Sequence, residues 1–186
     1  MKRSHHVRTV AAAAAALFAL LWIVPQGHAS DEVTVSDLQA VARSLGFLEN
    51  LRTDDGIAIG IVYAPEQAAA GALAAQVAER LGAIPGPKEA KFRPVVISTG
   101  SLGQIQDGLG VVFLMPGASE HAGEILEAIR RRHLVSISTD AACLDRKCCV
   151  LLIRTEHRVD IVLDSALADA VGARFTPVFT MMVKRK

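Results

Sequence analysis

Apolar positions along the chain change period at regular intervals, from helical spacing to short continuous runs and back. Residues 35–51 carry Leu38, Val41, Ala42, Leu45 and Leu48 at helical spacing, with Ser36 as the expected N-cap. Asp54-Asp55-Gly56 makes a turn, and residues 57–63 (IAIGIVY) form an unbroken β-branched run, the pattern of a strand covered on both faces. Pro65 is expected to open an alanine-rich helix that runs to about Leu81 and stops at Gly82. Beyond the Gly86-Pro87 break, residues 92–98 (FRPVVIS) predict a second strand, 102–107 a short helix and 111–115 (VVFLM) a third strand.

Residues 119–132 predict a helix with Ser119 as N-cap and Arg130-Arg131-Arg132 at its negative end. Residues 134–138 predict a fourth strand. Residues 148–154 and 158–163 then read as two antiparallel strands joined at Thr155-Glu156-His157, followed by a helix over 164–171. In the closing segment, 175–184, Met181, Met182 and Val183 with Phe175 and Phe179 are expected to pack into the core, with a methionine-bearing recognition surface as the alternative. Strands alternating with helices specify an α/β fold: a single three-layer domain with a mainly parallel sheet and an antiparallel C-terminal edge.

The first 29 residues stand apart from this pattern. Lys2, Arg3 and Arg8 precede an apolar run of about 15 residues from Val10 to Val24, and Gly27-His28-Ala29 offers small residues for cleavage. The run is short of the roughly 20 residues a membrane span needs. Residues 1–29 are therefore expected to be a secretory signal peptide and residues 30–186 the working domain, exported from the cytoplasm. The three basic residues leave with the signal and no acid does, so the formal charge falls from +1 to near −2. A near-balanced chain has no field for gripping phosphate backbones, which argues against nucleic-acid binding.

Export changes the meaning of Cys143, Cys148 and Cys149, the chain's three cysteines. In an oxidising compartment the expectation is one structural disulfide with a leftover thiol. A bridge between the adjacent Cys148 and Cys149 strains the intervening peptide, so Cys143 pairs with Cys149, or alternatively with Cys148. No fourth Cys or nearby His completes a tetrahedral zinc set, and no metal or cofactor is expected. The leftover thiol leaves a homodimer open.

Ligands of open parallel sheets bind outside the carboxyl ends of the strands. Those ends carry Ala64-Pro65-Glu66, Ser98-Thr99-Gly100-Ser101, Pro116-Gly117-Ala118-Ser119 and Ser138-Thr139-Asp140. Ser98, Thr99, Ser101, Ser119, Thr139 and Asp140 are the candidate ligand-facing residues, with helix capping as the plainer role for each. Gly100-Ser101-Leu102-Gly103 has neither a GxGxxG fingerprint nor a Walker lysine, and no G-x-S-x-G elbow occurs anywhere. No catalytic residue is singled out. His121, His133 and His157 read as surface residues, and the arginine triplet reads as a solvated helix end or a docking patch for an acidic partner.

The opening helix LQAVARSLGFLENL, the strands IAIGIVY, VVFLM and LVSISTD, and above all the ending CCVLLIRTEHRVDIVLDSALADAVGARF resemble the YfiR-type periplasmic family. The resemblance covers most of residues 30–186 and rests on pattern more than on invariant motifs. It implies a small periplasmic α/β domain with cysteines near the penultimate strands. It also implies a regulator that represses a membrane-bound diguanylate cyclase by binding that enzyme's periplasmic part. The chain departs from the family where Lys147 and Cys148 stand near its usual glycine pair. The leading expectation is a non-enzymatic periplasmic binding or regulatory domain that contacts the outer part of a membrane protein. The alternative is a periplasmic small-molecule receptor resembling one lobe of a transporter's solute-binding protein.

Overall fold

The computed structural model of the protein describes residues 32–186 apart from 106 and 107, so the expected export segment lies outside the described residues. The IAIGIVY run becomes β1 (Ile57–Tyr63), whose Ile57, Ile59, Ile61 and Val62 are all buried. With no polar position to turn toward water, such a strand needs cover on both faces and neighbours on both edges. It has them. β2 (Phe92–Ser98) pairs with one edge and β3 (Val111–Leu114) with the other, both in parallel. β4 (Val135–Ser138) and β5 (Leu151–Arg154) extend the parallel set.

β6 (Asp160–Leu163) folds back antiparallel on β5, and β7 (Lys184–Arg185) lies parallel to β6, giving the order β2-β1-β3-β4-β5-β6-β7. Pro94 sits in β2, an edge strand where its missing N–H costs no ladder bond. Gly60 sits in mid-strand because a Cβ there would stand 2.9 Å from Ile97 Cδ1 and 3.1 Å from Leu109 Cδ2.

α1 (Val35–Leu45) packs against α2 (Ala70–Gly82), which fills the crossover from β1 to β2; α3 (Ala122–Arg132), in the β3–β4 crossover, meets α5 (Ser165–Val171). Right-handed crossovers that step in opposite directions along the sheet, β1 to β2 one way and β3 to β4 the other, place α2 and α3 on opposite faces. The fold is thus the expected α/β domain, mainly parallel with an antiparallel β5–β6 edge. Among the described residues no helix is long and apolar enough to cross a membrane.

Local chemistry moved several boundaries. α1 starts one residue after Thr34, which caps it in place of Ser36: Thr34 Oγ1 accepts from Asp37 N, and Asp37 Oδ2 accepts from Thr34 N at 2.9 Å. α2 starts at Ala70 instead of Pro65, because residues 65–69 turn first and Ala69 adopts a left-handed φ of 61°. The predicted 119–132 helix divides into a 3-10 turn (Ala118–His121) and α3, so Ser119 is no N-cap. An extra short helix, α4 (Ala141–Asp145), occupies the stretch before the cysteine pair, and β5 begins only at Leu151. The closing segment forms α6 (Pro177–Met182) and then β7. Phe179 alone of its group is fully core, stacked between Phe47 and Phe175 with ring centroids 5.1 and 5.0 Å away. Met181 and Met182 are 78% and 63% exposed, which corrects their assignment to the core.

Candidate functional site

Strand order reverses between β1 and β3: the chain leaves β1 for β2 on one side, then crosses back to β3 on the other. Loops leaving the carboxyl ends of β1 and β3 therefore run in opposite directions, and the place between them is where open α/β sheets form a ligand crevice. From β1 come Glu66 and Gln67. From β3 come Gly117, Ser119 and His121, and β4 next door adds Thr139 and Asp140.

Asp140 organises the β3–β4 side. Its Oδ2 accepts from Ser119 Oγ at 3.0 Å and from Gly117 N at 3.4 Å, while Oδ1 accepts from Ala142 N at 2.9 Å and so caps α4. Below it, Ser138 Oγ donates to Leu114 O at 3.0 Å and accepts from Asp140 N at 3.1 Å, which ties β4 to β3. Ser119 is buried, and its hydroxyl serves Asp140 across two loops instead of a helix terminus. Gly117 has φ 82°, a left-handed conformation that glycine adopts without cost, and a Cβ there would run into the Gln67 amide. The β1 loop thus lies directly over the β3 loop.

A second link crosses the same gap. His121 Nε2 stands 2.6 Å from Glu66 Oε1, and His121 Nδ1 stands 3.7 Å from Glu124 Oε1. The Glu66 hydrogen bond lifts His121 above the ordinary histidine range against a desolvation penalty, and the charges of Glu66 and Glu124 add to the lift. The same bond holds Glu66 below its usual range. Ser119 hydrogen-bonds to Asp140 and His121 to Glu66, so these residues do not assemble the serine–histidine pair of an acyl-transfer site. What the crevice offers is acceptors, donors and a fixed charge pair: equipment for holding a polar group.

The candidate residues divide between two places. Ser119 and Asp140 meet at the crevice, with Thr139 beside them. Ser98, Thr99 and Ser101 follow β2 at the sheet's edge, where Ser98 Oγ and Ser101 Oγ lie 2.9 Å apart. Thr99 is buried, and its hydroxyl has no hydrogen bond among the described residues. Glu66, Gln67 and His121 were not singled out by sequence reasoning. Their loops were identified as strand ends, but the Glu66–His121 pair spans 55 residues and needed the β1–β3 adjacency to appear.

Behind the crevice, α4 carries Cys143. Its Sγ lies 2.8 Å from Cys148 Sγ, and all three cysteines are buried thiols with no disulfide joining them, where one structural bridge was expected. Burial pushes the Cys143 thiol far up, and the hydrogen bond from Cys143 lowers Cys148, making Cys148 the first of the two to ionise.

No family model and no curated protein matches the sequence. Solved structures do resemble its fold. One is the ligand-free, open structure of CD0873, a substrate-binding protein with adhesive properties from Clostridium difficile, with a TM-score of 0.57 at 9% identity, over 78% of this chain and 59% of that one. Another is a conserved domain protein from Vibrio cholerae O1 biovar El Tor, with a TM-score of 0.57 at 14% identity, over 80% of this chain and 60% of that one. The match spans about three fifths of either protein's length, and at such identity the likeness is one of fold.

Proposed function

We propose that this chain is an exported, non-enzymatic binding domain that receives a small polar ligand in the crevice between β1 and β3. The observation that carries this reading is the convergence of Asp140, Ser119, Thr139 and the Glu66–His121 pair at the point where strand order reverses, the place where open α/β sheets take ligands. The fold it shares with a substrate-binding protein supports the same reading. The ligand's polar groups donate to Asp140 and accept from the hydroxyls and main-chain N–H groups around it. Thermal-shift screening of the protein against small polar metabolites tests the proposal. A hit whose stabilisation disappears in Asp140→Asn and Ser119→Ala supports it. Hits unaffected by both substitutions, or none across a broad panel, overturn it.

A second reading keeps the regulatory role implied by the YfiR-type resemblance: contact with the periplasmic part of a membrane protein, such as a diguanylate cyclase. Its support is an apolar surface around α6, where Val178, Met181 and Met182 lie exposed. Beside them a groove of about 280 Å³ is lined by Phe47, Val159, Ile161 and Val183. Methionine-bearing apolar patches suit protein recognition because the unbranched side chain adapts to its partner. Crosslinking in intact cells followed by isolation of membranes decides it. Recovery of one membrane protein, lost on Met181→Ser with Met182→Ser, is the supporting result; labelling of soluble proteins alone refutes it.

A further inference from the structure

α6 carries apolar residues on both of its sides. Phe179 turns inward and is buried, while Val178, Met181 and Met182, three and four residues apart, share the outward side and are exposed. A helix apolar all round is ordinarily covered all round. Val159, one residue ahead of β6, adds a fourth exposed apolar side chain. Eight large apolar side chains are exposed among the described residues, and four of them gather here. The groove beside α6 joins them, since Val159 and Met182 both line it, together with Arg43 and Phe47 of the α1 side.

Strand alternation sorts the basic residues at this edge. β7 runs beside β6, with Val162 opposite Lys184 and Leu163 opposite Arg185. Lys184 Nζ lies 2.9 Å from Asp160 Oδ1, and Lys186 Nζ lies 3.1 Å from Asp145 Oδ1. Those two lysines therefore turn to the face that carries Asp160. Val183 lines the groove, and the two-residue period of extended chain puts Arg185 on the same side as Val183. Arg43 reaches the groove from the last turn of α1. Two guanidinium groups from distant segments thus flank the apolar stripe, and no carboxylate lines the groove among the described residues.

An outward apolar stripe edged by cations matches the boundary between acyl chains and anionic headgroups. The match is local: residues 30–186 carry a formal charge near −2, and cations at a surface act within about a Debye length, roughly 8 Å at physiological salt. The four apolar side chains together expose on the order of 400 Å², below the roughly 800 Å² per partner of a standard protein interface. A bilayer sets no such minimum, because lipid closes around the side chains that enter it. We propose that α6 and the sheet edge beside it dock this domain on an anionic lipid bilayer. Met181 and Met182 enter the acyl boundary, and Arg43 and Arg185 meet lipid phosphates. The surface that the regulatory reading offers to a membrane protein thereby takes the bilayer itself, and the docking does not depend on what the crevice binds.

Residues 10–24 are apolar and would carry the full chain onto bilayers by themselves, whereas Asp31–Lys186 is one compact unit by its own contacts. The test therefore uses residues 30–186, co-sedimented with vesicles of phosphatidylethanolamine and phosphatidylglycerol or of phosphatidylcholine alone. Partition onto the anionic vesicles is expected to be at least about tenfold stronger than onto phosphatidylcholine, and to weaken as salt rises. Met181→Ser with Met182→Ser lowers it by about tenfold or more. Arg43→Gln with Arg185→Gln does the same, at about fivefold for each cation. Leu73→Ser, an exposed apolar position on α2, leaves it unchanged. Circular dichroism confirms that each variant is folded. No partition at millimolar lipid, equal partition onto phosphatidylcholine, indifference to either pair of substitutions, or an equal loss in Leu73→Ser overturns the proposal. Capture of a membrane protein through Met181 and Met182 without partition onto protein-free vesicles gives the surface to that protein, and a dimer that dissociates in the methionine variant gives it to a second copy. Either result equally overturns the proposal.

Discussion

At the scale of single residues, backbone conformation and proton affinity carry the sharpest consequences. Gly117 combines a left-handed φ with the Gln67 amide lying where a Cβ would stand. Gly117→Ala is expected to cost about 1 kcal/mol from the conformation alone, and more from displacing Gln67. Urea denaturation reads the loss; a variant as stable as the parent rules the account out. His121 and Glu66 set a pH window. The folded-state pKa of His121 is raised, so its contribution to stability is complete below 6.5 and disappears as pH climbs through the raised value. That of Glu66 is lowered, so its contribution is present above 4.5 and disappears as pH drops through the lowered value. Both act together between roughly pH 4.5 and 6.5. An NMR titration should place His121 above 6.5 and lower it in Glu66→Gln. An unshifted His121 in the parent protein would contradict the pair.

Elements decide matters that residues read singly leave open. Between Cys143 and Cys148, α4 makes a turn that brings Cys148 N to Cys143 O at 3.0 Å and the two sulfurs face to face, whereas a strand over 148–154 would have separated the side chains differently. Exposure to a disulfide oxidant is therefore expected to join Cys143 to Cys148, with two hydrogens passing to the oxidant, and to leave Cys149 as the thiol. Peptide mapping under non-reducing conditions checks this, and a Cys143–Cys149 linkage would refute it. α6 separates its apolar residues by role in the same way. Phe179→Ala should cost about 3–5 kcal/mol, the usual loss for emptying a core aromatic site. Met181→Ser with Met182→Ser should change stability by less than about 0.5 kcal/mol per site. Comparable losses from the two changes would mean that the methionines are buried in the working state. Helical spacing alone could not sort these residues, because it marks an apolar stripe without saying whether another layer covers all of it.

At the largest scale, the described residues form a sheet whose central strands β1, β3 and β4 are flanked on both sides and covered by helices, with β2 and the two-residue β7 at the edges. Amide exchange should follow that layout, slowest in β1 and β3 and fastest in β7. Rapid exchange in β3 would show that the strand order misrepresents the stable core. The layout also separates two ends. Polar groups gather at the carboxyl end around the reversal of strand order, and Arg52, Arg131 and Arg132 line a cavity at the amino end.

Much of this was legible in the residues themselves. Unbroken β-branched runs such as IAIGIVY admit few structures other than a doubly covered strand, so strand positions and the α/β class followed from local pattern. Asp140 caps α4, the plainer of the two roles its position allowed, since a carboxylate at a helix start satisfies nearby N–H groups in almost any context. Strand order is different: it depends on which long-range pairings bury most surface, and no local pattern records that choice. Ser119 was therefore read as a cap when it hydrogen-bonds to Asp140, 21 residues away, and Arg52 carried no signal of its convergence with Arg131 and Arg132. By itself the sequence determined the elements, their class and the strand ends where chemistry gathers, because those are properties of neighbouring residues. Tertiary structure alone decided which loops face each other, which cysteine sulfur meets Cys143 and where the arginines converge, because those depend on contacts between segments far apart in the chain.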